Sequence, residues 1–208
     1  MHTNSEILFR KYVQPLLTDG IKVLEIGPDT FPSTYRSLAD EVSVSSWDTL
    51  DVCENASLTY QKSPEYQFPI PSESYDVVLS GQVIEHVRKP WTWVRELARI
   101  TRPGGLVITI GPVSWPYHEV PVDCWRIYPE GMRALYEDAN LLILHSSWGS
   151  FEAPGYRRYI PGKSRESQPR RTQIIYAILG MFGFPVERSY DTVTIGTKCK
   201  MPIVNLRL

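Results

Sequence analysis

The sequence predicts an α/β protein whose central sheet is doubly wound, mostly parallel and covered by helices on both faces. Two observations predict this class. Short apolar runs typical of buried strands alternate along the chain with longer segments in which apolar residues recur at helical spacing. In addition, the 208 residues, of which 42% are hydrophobic and 22% charged, suit one globular domain with a sizeable core. We therefore expect a single domain over residues 1–208.

Seven segments have the composition of strands, so the predicted sheet has seven strands. Two of them are weaker candidates: "EVSVSSWD" at 41–48 is rich in serine, and "ASLTYQK" at 56–62 is weaker still. The segments, in chain order, are 21–27, 41–48, 56–62, 75–81, 105–112, 141–150 and 189–200.

Four segments have helical spacing, and proline or glycine marks several of their ends. Pro15 is expected to kink or end a short helix within residues 1–19. The helix that starts at Pro90 has a proline suited to a first turn and stops at "PGG". Residues 149–189 are expected to be a basic insertion plus a helix before the last strand. The four segments are 5–17, 90–105, 129–140 and 171–184.

The predicted fold also indicates where a ligand binds. In doubly wound sheets, ligands lie beyond the carboxyl ends of the strands, at the point where the strand order reverses. The loops after Ile26, Ser46, Leu79 and Ile110 are therefore the candidate site.

Composition argues against several other classes of protein. Cys53, Cys124 and Cys199 are odd in number and include no CxxC pair, which disfavours a disulfide framework and a zinc site, and no metal is predicted. No apolar run approaches the roughly 20 residues of a membrane span, and the N-terminus lacks the pattern of a signal peptide. A cytoplasmic protein is expected. The net charge of −1 gives no overall attraction to nucleic acid or to an anionic membrane.

Residues 69–112 contain several short motifs in a specific order. The acid of "SYD" precedes a buried strand, "IEHV" follows that strand, and a helix then leads to "RPGG" and another strand. This order resembles the central segment of class I S-adenosylmethionine-dependent methyltransferases of the methyltransferase type 11 group, which act on small molecules. The resemblance extends over roughly residues 20–148 and to the closing "DTVTIGTKC". It implies a Rossmann-like sheet with an antiparallel last strand, S-adenosylmethionine as cofactor, and no required metal.

The first loop keeps only part of the glycine-rich turn of that family. By the resemblance, Glu25 and Gly27 match the acid and the first glycine, and a glycine lets the backbone approach a cofactor closely. Asp29 and Phe31 replace the later glycines. A dinucleotide diphosphate needs that glycine-lined approach more than S-adenosylmethionine does. A simple strand-to-helix corner is the alternative.

The resemblance also implies residues that bind the nucleoside part of the cofactor. Asp48 is the candidate for the ribose hydroxyls, with Asp51 as substitute, and Trp47 for packing on the adenine. Asp48 as a turn cap is the alternative. Pro64 occupies the place of the acid that contacts the adenine amino group, and Glu65 is the substitute.

Residues that follow the strand at 75–81 are expected to face the methionine part. Ser80, Gly81 and Gln82 come first, and the pair Glu85–His86 follows. In the resembling family an acid–His pair at this place is near the transferred methyl group in some members and structural in others. His86 is therefore one candidate base.

The loop after the fifth strand, residues 111–132, overlies the active site in such folds and is rich in aromatic residues. By resemblance to methyltransferases of sugar, glycan and natural-product assembly, five of its residues match an acceptor-binding order. His118 is the preferred base over His86, with Glu119 and Asp123 near enough in sequence to orient it. A rigid aromatic packing loop is the alternative. The five residues are Tyr117, His118, Asp123, Trp125 and Arg126.

Residues 156–171 have six basic residues and one acid, a local charge of +5. Arg157 and Arg158 are among them, and they suit an anionic small-molecule acceptor such as a nucleotide-linked sugar. A solvated loop is the alternative, and the near-neutral chain makes RNA a weaker candidate.

The sequence therefore predicts an S-adenosylmethionine-dependent methyltransferase that methylates an oxygen of a sugar, a nucleotide-linked sugar or a natural product. A Rossmann-type NAD-dependent dehydrogenase and a non-catalytic binding or partner subunit are the two alternatives. The first is disfavoured by the incomplete glycine pattern. The second is kept open by the departures at Asp29, Phe31 and Pro64.

Overall fold

The computed structural model describes residues 3–61, 63–118, 122–151, 170–182 and 189–199, and a mixed six-stranded sheet lies at its centre. The strand order is β2-β1-β3-β4-β6-β5. Strands β1 to β4 are parallel, and β6 runs antiparallel to both of its neighbours, so the predicted antiparallel last strand is confirmed. The strands are β1 Lys22–Ile26, β2 Ser46–Leu50, β3 Tyr75–Gly81, β4 Thr101–Ser114, β5 Leu141–Gly149 and β6 Tyr190–Lys198.

The described part of the chain has six strands, where seven were predicted. Residues 56–61, the described part of the segment 56–62, contribute only an isolated bridge between Tyr60 and Leu50, with the Tyr60 amide 2.9 Å from the Thr49 carbonyl. Just before it, the Leu58 amide bonds to the Asn55 carbonyl and the Ser57 amide to the Asn55 side chain. Those turn contacts use backbone groups that a strand would need.

Strand β2 begins at Ser46 and not at Glu41 as predicted. Residues before it are engaged in turns, since the Val42 amide bonds to the Ala39 carbonyl and the Ser43 amide to Asp19. In the β1–β2 register, Leu24 pairs with Asp48. Asp48 therefore lies within the strand instead of in the loop beyond it.

Three of the predicted helices, at 5–17, 129–140 and 171–184, begin and end close to the predicted positions, whereas the helix predicted at 90–105 ends at Ile100 and the helix Thr34–Leu38 was not predicted. Pro15 lies in a 3-10 turn that ends the N-terminal helical segment, and prolines occupy the first turns of α3 and α4, where a missing N–H costs nothing. None of the helices in the described part of the chain is long and apolar enough to span a bilayer. The helices are α1 Thr3–Leu8, continued by π and 3-10 turns to Leu16, α2 Thr34–Leu38, α3 Pro90–Ile100, α4 Pro129–Asp138 and α5 Arg170–Met181.

Two hydrophobic clusters lie on the two sides of the sheet, because successive residues of a strand point in opposite directions. In β3, Val78 belongs to one cluster, which includes Trp93 and Leu97 of α3. Val77 belongs to the other, which includes Phe9 of the N-terminal segment and Tyr35 of α2. The parallel strands are thus buried in the way their continuous apolar runs predicted.

Buried polar side chains attach α1 to the sheet. Asn4 donates to the Asp191 carboxylate (2.5 Å) and to the Gly149 carbonyl (2.9 Å), and Gln82 donates to the other Asp191 oxygen (3.1 Å). Asp191 is fully buried. Its partners supply the hydrogen bonds that a buried carboxylate needs.

We predict that Gly81→Ala destabilises the fold, because Gly81 lies flat against the Tyr35 ring. An added Cβ would overlap the Tyr35 hydroxyl and lie 2.6 Å from Cζ. Overpacking of this kind costs about 1–3 kcal/mol in the free energy of unfolding. Urea denaturation measures it. Gly149→Ala is the matched control, since the nearest atom there is Phe151 Cε2 at 3.3 Å; equal losses in both variants would contradict the prediction.

Candidate functional site

A cleft of about 650 Å³ opens at the carboxyl ends of β1, β2 and β3. Strand β1 lies between β2 and β3, so this is the point where the strand order reverses, as predicted for the ligand site. The lining residues are Ile26, Gly27, Leu50, Asp51, Val52, Cys53, Ser63, Glu65, Phe68, Gln82, Val83, His86, Val87, Arg88, Trp93 and Val122.

Gly27 forms the sharp turn that follows β1. Its φ is +72°, a conformation that L side chains rarely adopt, and its amide donates to the Leu50 carbonyl (2.9 Å). A Cβ there would also overlap Val83 Cγ2. Glycine is therefore required here for both conformation and space, and its backbone is exposed to the cleft.

Glu25 does not line the cleft but lies beneath the first loop. Its buried carboxyl accepts hydrogen bonds from the Ser33 hydroxyl and from Trp47 Nε1 (2.8 Å). Burial raises the pKa of Glu25 to about 7, against the effect of these two hydrogen bonds. Trp47 accordingly packs under the loop and is not in the position predicted for stacking on an adenine.

The rest of the first loop is held by its own side chains. Asp29 accepts hydrogen bonds from the Thr34 amide (3.0 Å) and hydroxyl (2.7 Å), and Ser33 caps α2 by accepting from the Arg36 amide (3.0 Å). Neither Asp29 nor Phe31 lines the cleft. The departures from the glycine pattern therefore rebuild the outer loop and leave the cleft open.

The structure separates the two acids considered for the end of β2. Asp48 lies within the strand and accepts a hydrogen bond from the Tyr75 hydroxyl (2.8 Å). Asp51 comes directly after the strand and lines the cleft. One of its oxygens accepts from the Cys53 amide (2.9 Å), which fixes the direction of the side chain. Of these two acids, Asp51, the substitute, is therefore the one at the cleft.

Of the three residues predicted at the end of β3, only Gln82 lines the cleft. Ser80 is fully buried in the strand, and Gly81 faces Tyr35. Gln82 has a φ of +59°, which turns the chain out of the strand. Glu65 also lines the cleft.

His86 and His118 meet beside the cleft, with ring centroids 4.9 Å apart in an edge-to-face arrangement. His86 lines the cleft, whereas His118 does not. His86 Nδ1 contacts the Val122 carbonyl, and His118 Nδ1 lies 3.1 Å from the Pro116 carbonyl. Burial lowers the pKa of His86, so its neutral form predominates near pH 7.

Asp123 holds the loop that presents His118. Its side chain is 1% exposed and accepts hydrogen bonds from the His118 amide (2.8 Å) and from both terminal nitrogens of Arg126 (2.5 and 2.7 Å). Burial alone would raise the pKa of Asp123, but these donors lower it below its usual value. Asp123 thus positions His118 through the backbone, with His118 Nδ1 3.4 Å away.

The remaining residues predicted to bind the acceptor have structural contacts. Arg126 also donates to the carbonyls of Trp115 (3.1 Å) and Pro116 (3.2 Å), so it clamps the two arms of the loop together. Trp125 Nε1 donates to the Val87 carbonyl (2.8 Å), and Tyr117 is 64% exposed. None of these three lines the cleft.

Some predicted residues lie outside the described part of the chain, and some cleft residues were not predicted. Glu119, Arg157 and Arg158 belong to the first group. The second group has no motif of its own, and nearness in sequence to Asp51, Glu65 or Gln82 was the available signal for its members other than Trp93. Its main members are Val52, Ser63, Phe68, Val83 and Trp93.

Comparison with known proteins agrees with this fold. Residues 37–109 match the family model described as a methyltransferase domain. An uncharacterized methyltransferase of Mycolicibacterium vanbaalenii is 31% identical over 97 residues, 43% of this chain and 38% of that protein. One of Mycolicibacterium paratuberculosis is 40% identical over 98 residues, 47% of this chain and 33% of that protein. The chain thus matches only about a third of the length of these relatives.

Solved structures show the same fold at low sequence identity. A SAM-dependent methyltransferase of Archaeoglobus fulgidus aligns with a TM-score of 0.59 and 15% identity over 93% of this chain and 92% of that one. A putative methyltransferase of Haloferax volcanii, solved with the Trm112 methyltransferase activator, has a TM-score of 0.62 and 16% identity over 95% of this chain and 93% of that one.

The fold is α/β and Rossmann-like, with its cleft at the strand switch. More specifically, the match over residues 37–109 and the relatives make this chain similar to methyltransferases. The resemblance to class I S-adenosylmethionine-dependent methyltransferases is thereby confirmed.

The raised pKa of Glu25 predicts a pH dependence of stability. The folded state favours the protonated carboxyl, so the stabilisation is fully present below the reference pKa of 4.5 and is lost as pH rises through about 7. Relative to Glu25→Gln, the parent should lose on the order of 3 kcal/mol of unfolding free energy over this range, at about 1.4 kcal/mol per pKa unit. Urea denaturation from pH 4.5 to 8 measures the difference; parallel profiles for the two proteins would refute it.

Proposed function

We propose that this protein transfers a methyl group from S-adenosylmethionine to a hydroxyl of a small molecule, such as a sugar, a nucleotide-linked sugar or a natural product. The observation that carries the proposal is the cleft at the strand switch, where Gly27, Asp51 and Gln82 converge and His86 forms part of the wall. Its volume of about 650 Å³ is in the range of cofactor sites.

The nucleoside part of the cofactor fits the side of the cleft formed by β2 and the segment after it. Asp51 is the proposed acceptor for the ribose hydroxyls, since its carboxylate is at the end of β2 and is oriented by the Cys53 amide. Val52 and Phe68 supply apolar surface for the adenine, and Glu65 lies on the same wall for its amino group.

The methionine part of the cofactor then lies toward the ends of β1 and β3. The Gly27 backbone allows close approach because no Cβ intervenes, and the Gln82 side chain supplies polar groups. The sulfonium methyl group is consequently directed to the side of the cleft where His86 lies.

The first loop argues against a dinucleotide. In dinucleotide-binding folds the diphosphate is held by free amides at a helix N-terminus. Here the Thr34 amide is bonded to the Asp29 carboxylate and the Arg36 amide to Ser33. A phosphate at this place would meet the negative charge of Asp29 in addition to occupied donors. The NAD-dependent dehydrogenase is thereby disfavoured.

Methyl transfer from a sulfonium is an in-line displacement, so holding the acceptor oxygen near the methyl carbon supplies much of the catalysis. A hydroxyl also needs help in losing its proton. His118 is the proposed group for this task, because its Nδ1 faces the Pro116 carbonyl and Asp123 fixes its backbone. The acceptor is proposed to be anionic, on the ground of the basic residues in 156–171, of which 156–169 lie outside the described residues.

Ligand-induced stabilisation tests the proposed cofactor. Binding to the native state adds RT ln(1 + [L]/Kd) to the unfolding free energy, about 2.7 kcal/mol at 100 Kd. We expect S-adenosylmethionine and S-adenosylhomocysteine to raise the melting temperature and NAD to leave it unchanged. Stabilisation by NAD alone would overturn the proposal, and no shift from any of the three would favour the non-catalytic subunit.

We predict that Asp51→Asn weakens S-adenosylhomocysteine binding by about 1.5–3 kcal/mol, the scale of a lost charge-assisted hydrogen bond. Asparagine keeps the oxygen that accepts from the Cys53 amide, so the loop is preserved. Asp48→Asn is the matched control, because Asp48 bonds to Tyr75 away from the cleft. Titration calorimetry measures both affinities. If only Asp48→Asn weakens binding, Asp48 and not Asp51 contacts the ribose.

We predict that His118→Ala lowers kcat about 10²- to 10⁴-fold, the usual contribution of a proton-transferring group. Affinity for S-adenosylhomocysteine should be preserved. His145→Ala is the control, since His145 lies on β5 and bonds to Ser147. Steady-state kinetics with the three variants His118→Ala, His86→Ala and His145→Ala decide the roles: a near-normal kcat in His118→Ala beside an inactive His86→Ala would assign the proton transfer to His86.

A further inference from the structure

Three potential metal ligands converge beside the cleft. One donor atom from each of Glu85, His86 and His118 lies within 4.8 Å of the others. Glu85 and His86 are consecutive in the 3-10 turn Ile84–His86 that follows β3, and His118 comes from the loop after β4. The cluster therefore forms only when these two loops meet.

The contacts of the two imidazoles leave the same nitrogen of each ring available. His86 Nδ1 faces the Val122 carbonyl, and His118 Nδ1 faces the Pro116 carbonyl at 3.1 Å. A carbonyl oxygen only accepts hydrogen bonds, so each Nδ1 has to bear the proton. The lone pair of the neutral ring is then on Nε2. Histidines that bind metal ions are oriented in the same way, with a carbonyl oxygen accepting a hydrogen bond from the ring nitrogen that does not hold the metal.

Glu85 supplies a buried carboxyl group with one unsatisfied oxygen. Its side chain is 1% exposed, Oε1 lies 3.7 Å from His86 Nε2, and Oε2 has no hydrogen-bond partner among the residues that the structure describes. Burying an unpartnered carboxylate is costly, and a cation beside it removes that cost. The turn is held in place independently, because the Glu85 carbonyl accepts from the amides of Cys124 (2.7 Å) and Trp125 (3.2 Å).

We propose that Glu85, His86 and His118 bind one divalent transition-metal ion, with Zn²⁺ the best match. Two imidazoles and one carboxylate are a donor set of zinc sites that keep an open coordination position. Ligand distances of about 2.0–2.2 Å require the three side chains to move inward slightly from their present separations. His118 has room to do so, since its side chain is 36% exposed.

The sequence predicts Glu85, His86 and His118 as site residues but not as metal ligands, because the motif taken to indicate a zinc site is a pair of cysteines. Cys53 and Cys124 are exposed, and neither belongs to the cluster. A role of the ion in activating an acceptor hydroxyl rests on the proposed function, whereas binding of the ion does not depend on it. A histidine that holds a metal through Nε2 does not accept a proton there, so the metal and the base are alternative uses of the same atom.

Titration of the chelator-treated full chain with Co²⁺, followed by calorimetry and by visible absorption, tests the site. We expect one equivalent to bind with a ligand-field spectrum, and Zn²⁺ to displace it. Removing a group that is only hydrogen-bonded to a metal ligand costs about 10- to 100-fold in metal affinity. Glu85→Gln and His118→Ala each change a ligand itself, so each should lower the affinity at least about 100-fold. His145→Gln, outside the cluster, should bind Co²⁺ as the parent does.

Two outcomes would overturn the proposal: no saturable binding of one equivalent by the parent, or unchanged affinity in Glu85→Gln and His118→Ala. Urea denaturation of each variant shows whether it is folded. His118→Ala decides if Glu85→Gln does not fold, because His118 is partly exposed. S-adenosylhomocysteine binding, measured by thermal shift without added metal, is a separate readout. Its failure would count against the proposed function and leave the metal site standing.

Discussion

The buried carboxyl of Glu25 is the contact on which the carboxyl edge of the sheet depends. It accepts from Ser33 at the start of α2 and from Trp47 in β2, so one side chain joins three elements beneath the first loop. With the loop held from below, Gly27 keeps its left-handed conformation and its backbone faces the cleft. A ligand therefore meets a preformed turn, which reduces the ordering cost of binding.

The opposite wall depends on a second buried acid. Asp123 accepts two hydrogen bonds from Arg126 and one from the His118 amide, while Arg126 also reaches the carbonyls of Trp115 and Pro116. Removing either partner of this pair would leave a buried charge unpaired, which is costly. The residues expected to touch an acceptor thus act largely by holding the histidine loop.

Strand β3 connects the two walls. Its last residue is followed by Gln82 in the cleft, and Glu85 and His86 come in the next turn. Both the proposed cofactor contact and the histidine cluster are therefore attached to the same short segment. Gly81 lets that segment pack against Tyr35, and Asp191 binds Gln82 from the other side. A change in either contact would be felt at both functional groups.

The sequence by itself determined the fold class, the strong strands at 75–81 and 189–200, the helices that begin with proline, and the methyltransferase resemblance, because these signals are local. Only the tertiary structure decided which side chains reach the cleft. The register between β1 and β2 places Asp48 inside the strand and Asp51 at its end. Turn contacts around Asn55 removed the seventh strand. Pairing of β3 with β4 brought Glu85, His86 and His118 together, and such long-range contacts leave no periodic trace in the chain.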